Sequence, residues 1–160
     1  MSGRRTQLAL CIALICAGIL FWYFKTEQLT VSDLWQQDPH VTIGNVSLRV
    51  EIADTSAERM HGLSGRDRIG ADGLLFVFPD NSSHGIWMKD MLFPMDILWL
   101  DAEGTIVHIE HNVTPETYPT VFRSPKAARF VLETNAYYTD TFGITIGQTA
   151  VLPKEVFVQN

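Results

Sequence analysis

The sequence predicts an α+β fold: a mostly antiparallel, barrel-like or strongly twisted β-sheet with about two short helices, preceded by one N-terminal membrane-spanning helix. Two observations predict the sheet. Short segments alternate apolar and polar residues, and they follow one another through tight turns, which favours antiparallel pairing. A third observation, an uncharged run near the N-terminus, predicts the spanning helix. The 160 residues suffice for one domain with a hydrophobic core and one appendage.

The uncharged run is "LALCIALICAGILFWYF", residues 8–24, with Arg4 and Arg5 before it and Lys25 after it. At about 1.5 Å rise per residue its length is at the short end for a membrane span. Basic flanks stay cytoplasmic, so we expect residues 1–7 inside and the domain in the periplasm or outside the cell. A cleaved signal peptide is the alternative. Cleavage after the small residues near Cys16 would leave the apolar end "ILFWYF", which favours an uncleaved anchor.

Residues 25–40 are predicted to form a tether and residues 41–160 the globular domain. The first strand is "VSLRVEIA", in which Leu48 and other apolar residues alternate with polar ones. Thr55 and Glu58 have the spacing of a capping box and predict a helix that ends near Gly65. The short apolar run "LLFVF" that follows predicts a buried strand.

The second half of the domain predicts a hairpin, another strand and a second helix. Residues 97–100 and 105–113 flank a turn in which Gly104 takes the left-handed conformation. In the return strand Val107, Ile109 and Val113 are expected to share one face. The segment "ARFVLETN" alternates again, and Asn135 is expected to cap a helix that ends at Gly143.

Charge and composition exclude several function classes. Beyond Arg4, Arg5 and Lys25 the chain has nine basic and eighteen acidic residues, a net charge of −9, which disfavours nucleic acid and anionic lipid surfaces as partners. Both cysteines precede residue 17, so the domain has no disulfide and no thiolate nucleophile. The five histidines form no ligand pattern. We therefore predict no metal and no cofactor.

The stretch "GIWMKDMLFPMDILWLD", residues 85–101, places charged residues in an apolar context. Charged side chains are rarely buried unless they are paired. Pro94 bends the chain between Lys89 and Asp96, so the two are expected to approach each other, with Glu133 from a later strand joining them. A polar cluster at a pocket is one interpretation. The other is a surface ion pair contributing about 0–1 kcal/mol, with Asp90 as a solvated neighbour.

Several blocks in order, namely "HGLSGR", "GLLFVFP", "WMKDMLFPMDILWLD", "ARFVLETNA" and "GITIGQ", resemble the DUF192 (UPF0127) family over about residues 46–152. The resemblance implies a compact, mostly β fold and no established activity. The positions that match its pattern are Gly62, Leu63, Arg66, Trp87, Met88, Lys89, Pro94, Asp96, Asp101, Gly104, Glu133, Asn135, Gly143 and Gly147. The chain departs from the pattern at Asp90, where Asn is usual, and at Gln148, where Asp is usual.

Two classes of function follow from these residues. The first is a membrane-tethered accessory module that binds a small polar ligand or an envelope protein, with a pocket lined by the candidate residues Arg66, Trp87, Lys89, Asp96, Glu133 and Asn135. The second is a small hydrolase or lyase. In it, Asp96 or Glu133 is the general base and Lys89 stabilises developing negative charge. The two classes differ in geometry, because the enzyme requires carboxylate and ammonium to converge on one open pocket.

Overall fold

The computed structural model of the protein describes residues 38–157, apart from the side chain of Glu155. The predicted membrane segment, residues 8–24, and the tether up to residue 37 lie outside the described residues. Within residues 38–157, no helix combines the length and the apolar character that crossing a membrane requires.

The sheet is mostly antiparallel, as predicted. The described residues contain these nine strands: β1 His40–Ile43, β2 Val46–Ala53, β3 Gly73–Ser82, β4 Gly85–Trp87, β5 Met95–Leu100, β6 Ile106–Val113, β7 Val121–Arg123, β8 Ala128–Asn135 and β9 Ala150–Val151. Seven of them pair in the order β6-β5-β8-β3-β2-β1-β9, and only β2 and β3 run parallel; β4 and β7 form a separate antiparallel pair.

The two ends of the seven-stranded order meet at one corner, which curls the sheet into a half-barrel. Thr149, just before β9, forms a bridge with Thr105, just before β6. The amide of Ile106 donates to the carbonyl of Gln148 at 2.9 Å, and the amide of Ala150 donates to the carbonyl of Gly104 at 2.8 Å. The expected barrel-like curvature is thus present, produced by the last strand returning to the β5–β6 hairpin.

The curled sheet has a hydrophobic core on each face, because the central strands alternate between two buried environments. In β8, Phe130 and Leu132 pack into the inner core with Leu98 of β5. Val131 packs into the outer core with Trp99. Both faces of β8 are buried. A polar side chain on either face of these strands is therefore removed from water.

Two short α-helices flank the sheet. The first, α1 Ser56–His61, begins with the predicted capping box: the amide of Glu58 donates to Oγ1 of Thr55 at 3.2 Å, and the amide of Thr55 donates to the Glu58 carboxylate at 3.0 Å. It ends earlier than expected, at Gly62 instead of Gly65, because the amide of Gly62 closes the last turn on the carbonyl of Glu58.

The second helix, α2 Tyr138–Phe142, ends at left-handed Gly143 as predicted. The expected cap by Asn135 is wrong. Asn135 is the last residue of β8, and Tyr137, in the left-handed conformation, occupies the cap position without a side-chain bond. The carboxylate of Asp96 receives the helix's first amides instead.

The side chains of β6 do not alternate regularly between the two faces of the sheet. The register against β5 shifts between Met95 and Ile97 and again between Trp99 and Leu100. These irregularities place Ile109 in the inner core and Val113 in the outer core. The expectation that the two share a face is therefore wrong, because an extra residue in one strand reverses the facing of every residue after it.

Candidate functional site

Glu133 is a buried carboxyl group in the middle of the sheet. On β8 it lies between Leu74 of β3 and Ile97 of β5 and shares the outer face with Val131. The residue is 4% exposed. Among residues 38–157, its Oε2 atom has no hydrogen-bond partner. Burial away from water raises the pKa of Glu133 to about 8, because the charged carboxylate loses its solvation.

The Glu133 carboxyl group borders a small cavity of about 50 Å³. Buried apolar side chains of Leu63, Phe76, Ile86 and Met91 form its walls. We call it the Glu133 cavity. A cavity of this size holds a few water molecules or one small functional group, since one water needs roughly 10–15 Å³ by this measure.

Exposed residues of α1 and β4 form the mouth of the Glu133 cavity. Trp87 is 49% exposed and Met60 is 79% exposed, and both line the cavity. The ring of Tyr118 stands edge-on to Trp87 at 6.1 Å between ring centroids. An aromatic and a thioether side chain therefore lie where a ligand would enter.

The basic side chains near the mouth are Arg59, His61 and Lys89. Arg59 lines the cavity, but its guanidinium group donates to the carbonyls of Asp54 and Val77. His61 is exposed at the end of α1. The Lys89 ammonium lies 6.0 Å from the centre of the Trp87 ring, a cation–π distance.

Lys89 lies in a groove next to the cavity instead of inside it. This groove, of about 370 Å³, is lined by Lys89 and Asp90 together with Met60, His61 and Ser64, and the last three also line the Glu133 cavity. The backbone here is fixed, because Oγ of Ser64 donates to the carbonyl of Lys89 at 2.9 Å. A ligand with one group in the cavity has room for its remainder in this groove.

Asp96 belongs to a different site. It pairs with Thr134 in β8 and lies on the inner face, one residue before Ile97, the outer-face neighbour of Glu133. The two carboxyl groups thus lie on opposite faces of the sheet.

Asp96 is fully buried, and its carboxylate accepts four hydrogen bonds. The donors are the amides of Asn112 at 2.8 Å, Tyr137 at 3.2 Å and Thr139 at 2.9 Å, and the Thr139 hydroxyl at 2.6 Å. These bonds hold the start of α2 against the β5–β6 hairpin and occupy both oxygens of the Asp96 carboxylate.

The remaining candidates lie outside the Glu133 cavity. Arg66 donates to both carboxylate oxygens of Glu51 at 2.9 Å, in a partly exposed ion pair. Asn135 is exposed at the end of β8. Of the six sequence-predicted site residues, the structure brings Trp87 and Glu133 to one cavity and Lys89 to the groove beside it. Met60, Leu63 and Phe76 also line the cavity. None of them was among the predicted site residues, because they resemble ordinary core or surface residues, although Leu63 matches the family pattern.

The arrangement provides one buried carboxyl group, with its pKa raised to about 8, in a cavity lined by apolar side chains and by Arg59, His61 and Ser64. Protonated, Glu133 donates one hydrogen bond; ionised, it only accepts. Residues 38–157 contain no group of three or more metal-ligating side chains. The cavity is therefore suited to holding one polar group of a ligand or to exchanging a proton with it.

Comparisons with known proteins agree with this fold. A family model for DUF192, described as "Uncharacterized ACR", matches residues 39–152. Two crystal structures are similar to the chain. A candidate transcription regulator from Sinorhizobium meliloti 1021 is 29% identical with a TM-score of 0.67; the match covers 72% of this chain and 93% of that one. A protein of unknown function from Novosphingobium aromaticivorans DSM 12444 is 27% identical with a TM-score of 0.65; the match covers 71% of this chain and 83% of that one. No curated protein matches.

Proposed function

Because the chain belongs to the DUF192 family, whose description assigns no activity, we propose a function from its own residues: a membrane-tethered module that binds a small polar ligand at the Glu133 cavity. The observation that carries the proposal is the buried Oε2 atom of Glu133, which has no hydrogen-bond partner in the described chain. Trp87 at the mouth and Lys89 in the adjoining groove supply further contacts for the ligand.

The isolation of the Glu133 carboxyl group lowers the stability of the ligand-free fold. A buried polar atom without a partner costs about 1–3 kcal/mol, and most buried polar atoms in folded proteins are paired. Asp96, the other buried carboxylate, has four donors. Glu133 instead faces a cavity with exposed residues at its mouth, so a ligand group that enters can recover this cost.

A ligand screen tests the proposal. The full-length chain in a non-ionic detergent is screened by thermal shift against polar metabolites and cell-wall fragments. The same screen is applied to Glu133→Gln and to the matched control Glu103→Gln, which changes an exposed carboxylate in the β5–β6 turn. We expect compounds that stabilise the wild type and the control but not Glu133→Gln. Identical profiles for all three proteins would contradict a site at Glu133.

The membrane tether is the second part of the proposal. It is supported by the uncharged residues 8–24 with basic residues on the cytoplasmic side, and it would place the domain in the periplasm or outside the cell. We expect the full-length chain to remain with membranes after an alkaline carbonate wash, and a chain lacking residues 1–25 to be released. Release of the full-length wild-type chain from membranes into the alkaline wash would contradict the tether.

A hydrolase or lyase with Glu133 as general base is the second candidate, and the raised pKa of about 8 favours it, because a base is most effective when its pKa lies near the working pH. Lys89 in the adjoining groove is the available cation, whereas Asp96 takes no part. The ligand's own NMR spectrum distinguishes the candidates. A bound compound that remains unchanged after prolonged incubation supports binding, and one that is converted by the wild type but not by Glu133→Gln supports catalysis.

The charge of the chain argues against DNA as its ligand, although the similar Sinorhizobium meliloti structure is described as a candidate transcription regulator. Proteins that bind DNA present basic surfaces that neutralise phosphates. The chain beyond Lys25 has a net charge of −9, and the proposed tether would keep it away from DNA.

A further inference from the structure

We infer that the ligand group received by the Glu133 cavity is a primary ammonium group at the end of an alkyl chain. This inference rests on the proposed ligand-binding function and names the class of ligand. It follows from the size of the cavity, the chemistry of its inner end, and the aromatic ring at its mouth.

The size of the cavity excludes large groups. About 50 Å³ holds a few water-sized positions, which suits an ammonium group with one or two methylene groups and excludes an aromatic or sugar ring. Four of the lining residues, Leu63, Phe76, Ile86 and Met91, are apolar and buried and offer methylene groups a favourable contact. The lining also includes Ser64, whose hydroxyl oxygen can accept a hydrogen bond from an ammonium group beside the one that Glu133 accepts.

The inner end of the cavity lacks a cation. Burial is the single cause that raises the pKa of Glu133, with no opposing contribution from a neighbouring positive charge. The titratable or charged groups that line the cavity besides Glu133 are Arg59 and His61 of α1, and Arg59 is bound to two backbone carbonyls. An ionised carboxylate accepts several hydrogen bonds, and an ammonium group donates three. A buried charge is tolerated when it is paired in this way.

The Trp87 ring at the mouth of the cavity can contact a cation. The Lys89 ammonium lies 6.0 Å from the ring centre, so an incoming ammonium group has to displace it from the ring. An ammonium group passing this ring gains a cation–π attraction. The net charge of −9 beyond Lys25 attracts cations and repels anions at long range.

The affinity for an alkylammonium ion should depend on pH. Binding of an ammonium ion requires ionised Glu133, and with a pKa of about 8 the ionised fraction rises from about 1% at pH 6 to about 50% at pH 8. The apparent affinity should therefore rise about 50-fold over this interval. Alkylamines remain protonated throughout, because an amine such as that of lysine has a pKa of about 10.4.

The experiment is an NMR titration of the full-length chain, labelled with ¹⁵N in its tryptophan indoles, in a non-ionic detergent. The probes are n-butylamine, 1-butanol and butyrate, which share an alkyl chain and differ in the terminal group. The Trp87 indole signal is assigned from the spectrum of Trp87→Phe. We expect the dissociation constant of n-butylamine, measured from the shift of this signal, to be about 50-fold lower at pH 8 than at pH 6. The shift should be absent in Glu133→Gln and retained in Glu103→Gln.

The outcomes separate the ligand class from the proposed function. If butyrate or 1-butanol binds in a way that depends on Glu133 and n-butylamine does not bind, the ammonium assignment is overturned. The ligand site at Glu133 then remains. No response to any probe, or responses unchanged in Glu133→Gln, would overturn both. The pH profile of the wild type decides the case even if the variant does not fold, because an affinity for n-butylamine that does not change with pH contradicts the inference.

Discussion

Replacing Glu133 with glutamine should change how the stability of the domain depends on pH. Glutamine has nearly the shape of a protonated glutamic acid and does not ionise. The ordinary pKa of the group, 4.5, applies to the unfolded chain, and burial raises the pKa to about 8 in the folded one. Between these values the unfolded chain releases the proton and the folded chain keeps it. Stability from Glu133 is therefore fully present below about pH 4.5 and is lost as the pH rises through 8.

The magnitude follows from the difference of 8 − 4.5 = 3.5 pH units. At about 1.36 kcal/mol per unit the complete loss is about 5 kcal/mol. About 4 kcal/mol of it falls between pH 5 and pH 9 by the same linkage relation. The exposed carboxylates titrate in both proteins and cancel in the comparison. The free energy of unfolding of Glu133→Gln, relative to the wild type, should therefore rise by about 4 kcal/mol over this interval.

Urea denaturation of the full-length chain at several pH values, followed by tryptophan fluorescence, measures this difference. The control variant Glu103→Gln should follow the wild type at every pH. A constant difference between Glu133→Gln and the wild type from pH 5 to pH 9 would refute the reasoning, because it would mean that Glu133 has the same pKa folded and unfolded.

Three further variants, each measured by urea denaturation at pH 7, test other parts of the account. Asp96→Ala should lower the free energy of unfolding by on the order of 3 kcal/mol, since three amides and a hydroxyl lose their acceptor; a loss below about 1 kcal/mol would contradict a stabilising role of these bonds. Thr55→Ala removes the capping box of α1 and should lower the free energy of unfolding by about 1 kcal/mol. An unchanged urea midpoint would contradict a stabilising role of this capping box. Lys89→Ala alters an exposed side chain and should stay within about 0.5 kcal/mol of the wild type; a larger loss would indicate a buried ion pair.

The sequence predicts the fold well where the signal is local. The capping box of Thr55 and Glu58, the alternation that gives β2 and β8, and Gly104 in the hairpin turn each depend on residues a few positions apart. Prediction fails where the cause is distant. The start of α2 is capped by Asp96, which is far away along the chain, and Asn135 therefore has no capping role. The register shifts in β6 depend on its pairing with β5 and leave no mark in its composition.

The candidate site is predictable in part for the same reason. Of the three charged residues in the apolar stretch 85–100, only Asp96 is buried, whereas Lys89 and Asp90 are exposed. Glu133 is buried in a strand whose alternation indicated one apolar and one polar face. Which face each buried carboxyl group occupies depends on the register between β5 and β8, where Asp96 lies opposite Thr134 and Ile97 lies opposite Glu133. A shift of one residue in this pairing separates two carboxyl groups that the sequence suggested would meet. Trp87 joins Glu133 because β4 packs over the outer face, a tertiary contact that no local pattern contains.

The most direct test of the central claim is the pKa of Glu133 in the folded, ligand-free protein. The side-chain carboxyl carbon, labelled with ¹³C, reports ionisation by its chemical shift, and comparison with Glu133→Gln assigns the signal. We predict a titration midpoint of about 8, as expected for an isolated carboxyl group enclosed by apolar side chains. A midpoint near 4.5 would show that Glu133 is solvated or paired, and would contradict the cavity, the pH dependence and the binding site built on it.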